Sequence, residues 1–106
     1  MSASARYYEC IEDTFEDVES RLEALESDPD ITVAEGVINV TFANGVVFVF
    51  SRQPAVEQLW VATPGGGFHF VWDEGAEDWV DTKSKRAFKE LLIAELAEHA
   101  SEIIDW

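Results

Sequence analysis

Glu9, Glu12, Glu16, Glu19, Glu23 and Glu26 recur at alternating spacings of three and four, the rhythm that keeps residues on one stripe of an α-helix. A row of exposed carboxylates is hard oxygen chemistry, suited to iron, manganese, calcium or magnesium and unsuited to a tetrahedral structural zinc. Without an enclosing cage such binding is weak and plural. The same row suits a basic protein surface, where complementary charge steers association and makes affinity fall with salt. Asp13 and Asp17 are expected to widen this ridge, and Asp28 and Asp30 to carry it past the helix end toward a first strand. Like charges at i,i+4, such as Glu12 with Glu16 and Glu19 with Glu23, each cost an isolated helix roughly 0.2–0.5 kcal/mol. Glu23 and Glu26, near the C-terminal end, also oppose the helix dipole. A solvated face intersperses Lys with Glu, whereas here only Arg6 and Arg21 interrupt the acids, and Lys83, Lys85, Arg86 and Lys89 gather elsewhere. Segregation by sign points to a binding surface.

Little else in the chain offers competing chemistry. Cys10 is the only cysteine of 106 residues, so neither an intramolecular disulfide nor a thiolate zinc cage can form, and on an acidic helix its thiolate is poorly stabilised. Gly65-Gly66-Gly67 joins two β-like runs rather than opening a helix after a strand, which makes it a loop and not a phosphate cradle. There is no nucleophile-elbow signature, EF-hand loop or paired Glu-x-x-His of the di-iron kind. Glu95 and Glu98 are expected to be poorly placed for His99, whose position late in a helix suits the dipole. No catalytic constellation is read. The 22 acidic residues against 7 basic ones give a formal net charge of -15, which repels nucleic-acid phosphates and anionic lipid and attracts cations and basic proteins. With no apolar run near the roughly 18 residues of a membrane span, the expectation is a cytoplasmic protein with no nucleic-acid or membrane partner.

The elements that must position the ridge follow from period. Tyr8, Ile11, Phe15, Val18, Leu22 and Leu25 each precede a ridge glutamate by one residue, so apolar and acidic stripes lie about 100° apart on a single helix. That helix is predicted over 4–26 and ended by Ser27-Asp28-Pro29-Asp30. From 31 to 81, β-branched and aromatic runs predict strands at 31–33, 37–42, 46–51, 59–63, 68–72 and 79–80. Asn44-Gly45 predicts a two-residue type I′ hairpin, and Glu35-Gly36 and Gly65-Gly66-Gly67 predict further turns. Phe88, Leu91, Leu92, Leu96, Ala100 and Ile103 form a second apolar stripe, predicting a helix over 84–100 with Ser84 as N-cap. The order helix, strands, helix predicts an α+β fold and a single domain over 1–106, a two-layer sandwich with both helices on one face of an antiparallel sheet.

The other sheet face is then open. If Leu59 and Val61 point inward, Trp60 points to solvent, where an aromatic is an interface anchor. Arg52, Gln53 and Gln58 are expected to flank it as a polar rim. His69, between Phe68 and Phe70, alternates onto the same face near Trp60 as a secondary candidate. Trp72 and Trp79 are expected to pack in the sheet.

Several stretches, in this order after an acidic helix, carry a resemblance: Asn44-Gly45, Arg52-Gln53-Pro54, Gln58-Leu59-Trp60-Val61-Ala62, Gly66-Gly67-Phe68-His69-Phe70, Trp79 before Asp81, and Phe88 to Leu92. Over nearly the whole chain the sequence resembles the frataxin family, and within it the bacterial CyaY-type proteins. The resemblance implies an α-β-α sandwich whose ridge, on the first helix and the edge of the first strand, binds ferrous or ferric iron weakly and docks on a cysteine desulfurase. It further implies that the open sheet face meets an iron–sulfur scaffold protein, and that the protein is an adaptor or regulator of iron–sulfur cluster assembly and not an enzyme. Carried over by position, the metal-binding residues are Glu12, Glu16, Glu19, Glu23, Glu26, Asp28 and Asp30, and the partner-binding residues are Trp60, Arg52, Gln58 and His69. Ser20, Ala24 and Thr32 stand where bacterial relatives commonly carry acids. Alternatives are a ferroxidase or iron store on the same carboxylates, and a purely protein-docking acidic module. A monomer is expected, unless metal drives association.

Overall fold

The computed structural model describes residues 4–106, and its first helix, α1, spans Ala5–Glu23. Ser4 caps its start, accepting from the Tyr7 amide at 3.1 Å, as an N-cap serine does. The end comes earlier than the glutamate rhythm implies. The Leu25 amide turns back to the Leu22 carbonyl, Asp28 takes a left-handed φ of 53°, and Pro29 bars the right-handed region to the residue before it. Glu26 therefore lies in a turn beyond the helix.

The buried stripe of α1 is Tyr7, Cys10, Ile11, Val18 and Leu22, with Tyr8, Phe15 and Leu25 packed at its margin. Tyr7 goes inward in place of Tyr8 because its hydroxyl has work there. It donates to the Gln58 carbonyl at 2.7 Å and accepts from the Gln53 amide at 3.0 Å. The polar backbone at the join between two strands is thereby satisfied without water.

The sheet is a six-stranded antiparallel meander in sequence order: β1 Asp30–Ala34, β2 Val37–Thr41, β3 Val47–Gln53, β4 Gln58–Thr63, β5 Gly66–Asp73 and β6 Asp78–Asp81. The type I′ turn falls at Glu35-Gly36, where φ is 48° and 78° and Ala34 pairs directly with Val37. Asn44-Gly45 makes a three-residue loop instead of the predicted two-residue one. The Gly45 amide donates to the Phe42 carbonyl, the Phe42 amide to the Val46 carbonyl, and only Gly45 takes a positive φ, of 85°. That is the type I turn plus left-handed residue of longer hairpins. Asn44 is committed elsewhere: its Oδ1 accepts from the Val46 amide and its Nδ2 donates to the His99 carbonyl. Thr63 pairs with Gly66, so Pro64-Gly65 form the next turn and Gly66 and Gly67 belong to β5.

Alternation sends Ile38, Val40, Phe48, Phe50, Leu59, Val61, Phe70 and Trp79 to the helix side, all essentially inaccessible. Trp79 also donates its indole N–H to Thr14 Oγ1 at 2.8 Å, tying the far edge strand to the middle of α1.

The second helix, α2, spans Phe88–Glu95 and runs on as a π-turn over Leu96–Ala100. Ser84 does not cap it. Its hydroxyl and amide both fold back onto Asp81 Oδ2, at 2.6 and 2.9 Å. Ala87 holds the cap position with no side-chain bond, and the missing acceptor comes from β6, where Asp78 Oδ2 receives the Lys89 amide at 3.3 Å. Beyond the π-turn Ser101 is left-handed, with φ 57°, which resets the phase of the stripe. Ile103 is consequently 81% exposed, while Ile104 packs on the core. Trp106 lies edge-on to Phe88 and donates to Asp17 Oδ2 at 2.8 Å.

The two capping aspartates shift in opposite directions. Burial pushes the Asp78 carboxyl up, against the Trp79 and Lys89 amides that favour its charged form. Burial also opposes ionisation of Asp81, but the Ser84 hydroxyl and amide, with help from Lys83, outweigh it and hold Asp81 below its ordinary value. The raised group contributes stability that is fully present below the unfolded carboxyl pKa and lost as pH rises through the folded one. The lowered group contributes stability present above the unfolded pKa and lost as pH falls through the folded one. Carboxyl ¹³C titration by NMR is expected to give an Asp78 midpoint above, and an Asp81 midpoint below, the ordinary aspartate value of about 3.9; the reverse order would contradict this capping scheme.

Candidate functional site

Apart from the contact of Arg6 with Glu9 at its start, both α1 arginines turn away from the glutamate row. Arg6 pairs with Glu9 and makes a forked contact to Glu74 on the β5–β6 connection, at 2.7 and 3.1 Å. Its guanidinium holds the Glu74 carboxyl below the usual range. Arg21 bonds Asp17 at 2.8 Å, reaches the Asp105 carbonyl, and lies over the Trp106 ring with its guanidinium carbon 5.0 Å from the centroid. Among the described residues, Glu12, Glu16, Glu19, Glu23, Glu26, Asp28 and Asp30 form no ion pair. All are exposed except Glu19, which is half-buried.

Asp13 and Asp17 do not widen this row. They border a separate cleft with Trp72, Asp78, Lys89 and Trp106, on the other flank of α1 from Glu12, Glu16 and Glu19. The physical reason is the 100° step per residue, which carries each aspartate a further residue around the axis from its preceding glutamate. Asp17 is moreover occupied by Arg21 and the Trp106 indole. Asp28 lies in the turn after α1, and Asp30 opens β1, the exposed edge strand. The row thus continues along the chain onto the sheet edge.

Glu12, Glu16 and Glu19 border a shallow groove with Ile11, Phe15, Gly36 and Arg52. The presence of Arg52 here corrects its expected place beside Trp60. Arg52 pairs in register with Leu59, and directly paired residues share a face, so it lies on the helix side with Leu59. Its guanidinium carbon is 5.8 Å from the Tyr8 ring centroid. A Cβ at Gly36 would fall 2.4 Å from Arg52 Nε, so the glycine of the type I′ turn also makes room for this side chain. The ridge therefore has one basic residue at its foot, supplied by the sheet, which the sequence pattern did not assign to it.

The open face holds the other three partner-binding candidates. Trp60 and His69 are paired across β4 and β5 and stack with ring centroids 4.2 Å apart at 9°. Gln58 Oε1 receives the Trp60 indole N–H at 2.7 Å. Val49, Ser51 and Ala62 complete an apolar shelf around them. The inward direction of Leu59 and Val61, both buried, is what turns Trp60 outward, as alternation predicted.

Two further residues bear on the chemistry. Cys10 is buried, and burial first, with Glu74, Glu9 and Asp13 adding to it against Arg6, pushes its thiol up, consistent with an unreactive packing role. His99, expected to lie poorly for Glu95 and Glu98, is instead brought close to both, with its Nε2 3.8 Å from Glu95 Oε1 and 3.9 Å from Glu98 Oε2. The i,i+4 spacing of Glu95 and His99 is the signal that would have found it.

The sequence that folds into this acidic helix, six-stranded meander and second helix matches the family model of the frataxin-like domain over residues 1–102. The chain belongs to the frataxin-like family. The iron-sulfur cluster assembly protein CyaY of Stutzerimonas stutzeri is 39% identical over 107 residues, covering 100% of this chain and 97% of that one. The protein of the same name from Azotobacter vinelandii is 36% identical, covering 96% and 93%. Among solved structures, frataxin from Psychromonas ingrahamii superposes with a TM-score of 0.84 at 22% identity, covering 97% of this chain and 96% of that one. Trimeric yeast frataxin complexed with ferrous iron gives a TM-score of 0.69 at 21% identity, covering 96% and 91%. Both structural likenesses are of fold.

In this frataxin-like domain the ridge opposes the folding of the helix that carries it. Replacing Glu12, Glu16, Glu19 and Glu23 together by Gln is expected to raise stability in urea by about 0.5–1 kcal/mol at low salt, with the gain shrinking as salt screens the row. Unchanged or lower stability would mean that these carboxylates are internally compensated.

Proposed function

We propose that this protein is a weakly iron-binding adaptor or regulator of iron–sulfur cluster assembly, which docks on a cysteine desulfurase through its acidic ridge. The observation that carries the reading is the row of Glu12, Glu16, Glu19, Glu23, Glu26, Asp28 and Asp30, which among the described residues has no ion-pair partner on an accessible helix and sheet edge. Curated relatives named for iron–sulfur cluster assembly support it, as does a frataxin of the same fold complexed with ferrous iron.

Iron is cargo in this reading. Ridge oxygens are hard ligands suited to ferrous and ferric ions. Among the described residues no three ridge carboxylates present oxygens within 4.8 Å of one another, so an ion meets a field of carboxylates with no preformed cage. Retention is therefore weak and more than one ion can be held. The same unpaired charges attract a basic desulfurase surface, and because docking and iron draw on one set of side chains, each weakens the other when the ridge is crowded. The stacked Trp60–His69 pair, with Gln58 fixing the indole, offers a flat rigid anchor for the scaffold protein on the opposite face. One molecule can thus touch both partners at once.

The ridge reading is tested by anaerobic NMR titration with ferrous iron at physiological salt, with magnesium as control. Iron-selective amide changes confined to residues 9–32 are expected. Equal diffuse changes with magnesium would reduce the ridge to counterion attraction and leave protein docking as its use. Docking is tested separately with Glu19, Glu23 and Glu26 changed to Lys. Desulfurase affinity should be lost in that variant and should fall with rising salt in the native chain, while the fold is kept. Normal binding by the variant would sink the docking account. Saturable oxygen consumption above the rate of free iron would favour a ferroxidase instead.

A further inference from the structure

We propose that Glu95, Glu98 and His99 form a second metal site, separate from the ridge, which takes a single divalent first-row transition ion of the zinc, cobalt or manganese kind. One donor atom from each side chain lies within 4.8 Å of the others. Two carboxylates and one imidazole are a mixed nitrogen and oxygen set, which suits such ions and discriminates against magnesium and calcium.

Around His99 two carboxylates converge without bonding its ring. Its Nε2 stands 3.8 and 3.9 Å from the two carboxylate oxygens, beyond hydrogen-bond reach of either, and its ring makes no hydrogen bond among the described residues. Ligand atoms sharing one ion at about 2.1 Å lie roughly 3–3.4 Å apart, so small side-chain rotations close the set. Glu95 is held in advance. The Gly65 amide donates to Thr63 Oγ1 at 2.9 Å, and that hydroxyl donates to Glu95 Oε1 at 2.5 Å, the kind of outer partner that orients a metal ligand. The Asn44 amide fixes the backbone of His99 from the β2–β3 hairpin.

Gly65 is a second, independent pointer. Its φ is not among the positive ones, so no backbone constraint demands glycine there. What its missing side chain permits is the close approach of the donors: a Cβ would fall 2.4 Å from Glu95 Oε1 and 2.9 Å from His99 Nε2. The backbone of the turn between β4 and β5 thus packs directly against the two converging donors, which a side chain at position 65 would displace. The π-turn that carries Glu98 and His99 belongs to a class of helix distortion frequent at functional sites.

The test is a zinc titration of the full chain in excess magnesium, which occupies the ridge, while the ring nitrogens of both histidines are followed by ¹H–¹⁵N NMR. One equivalent should shift the His99 ring and leave His69 unmoved. His99→Gln and Glu95→Gln, each checked for a native amide spectrum, should weaken zinc by at least the roughly tenfold that loss of an outer partner alone would cost. Gly65→Ala should weaken it too by pushing the Glu95 and His99 donors apart. An unmoved His99 ring, or zinc affinity in both ligand variants unchanged from the native chain, would overturn the site. Neither result bears on the ridge, whose iron response is read from residues 9–32 without zinc.

Discussion

α1 carries its charges close together on a helix whose own interactions partly oppose it, so it persists only because the other side of the same helix is anchored in the core. Each like pair on the ridge costs a few tenths of a kcal/mol. Each fully buried large side chain returns about 1.5–3 kcal/mol, and Ile11, Val18 and Leu22 are each about 1% exposed. Packing therefore wins by a wide margin. Two directional contacts fix the helix in place as well as holding it down: Tyr7 bonded at the join of β3 and β4, and Trp79 bonded to Thr14 from β6. With the helix pinned at these points its glutamates are aimed outward as a fixed row.

The two-layer arrangement then assigns each surface its chemistry. Covering one face of the sheet buries alternate residues of β2, β3 and β4, which places Trp60, His69 and Gln58 together on the face away from the two helices. The same alternation moves Arg52 to the other side, beneath the ridge. Acidic and aromatic surfaces thus lie back to back, separated by one core, and neither has to be reshaped for the other to be occupied.

Polar groups that the chain could not satisfy locally are satisfied by distant ones. Asp78 caps a helix that begins ten residues later in the chain, Asn44 holds the π-turn, and Asp17 receives the indole of Trp106 across 89 residues. These contacts close the C-terminal segment against α1 and set the positions of Glu95, Glu98 and His99 opposite Gly65.

Period and residue type by themselves determined the helix and strand order, the facing of Trp60 opposite to Leu59 and Val61 and of His69 opposite to Phe68 and Phe70, and the acidic stripe. Each is a consequence of local geometry, 100° per residue in a helix and alternation in a strand, and needs no partner to be read. Only the tertiary structure decided that Tyr7 displaces Tyr8 inward, that Arg52 belongs to the ridge, that Asp17 is lost to Arg21 and Trp106, that Ser84 yields its cap to Asp78, and that a π-turn and Ser101 rotate Ile103 into solvent. In every one of these the deciding partner lies far away in sequence. Spacing cannot report it, because hydrogen-bond satisfaction and close packing are settled by what the folded chain brings alongside.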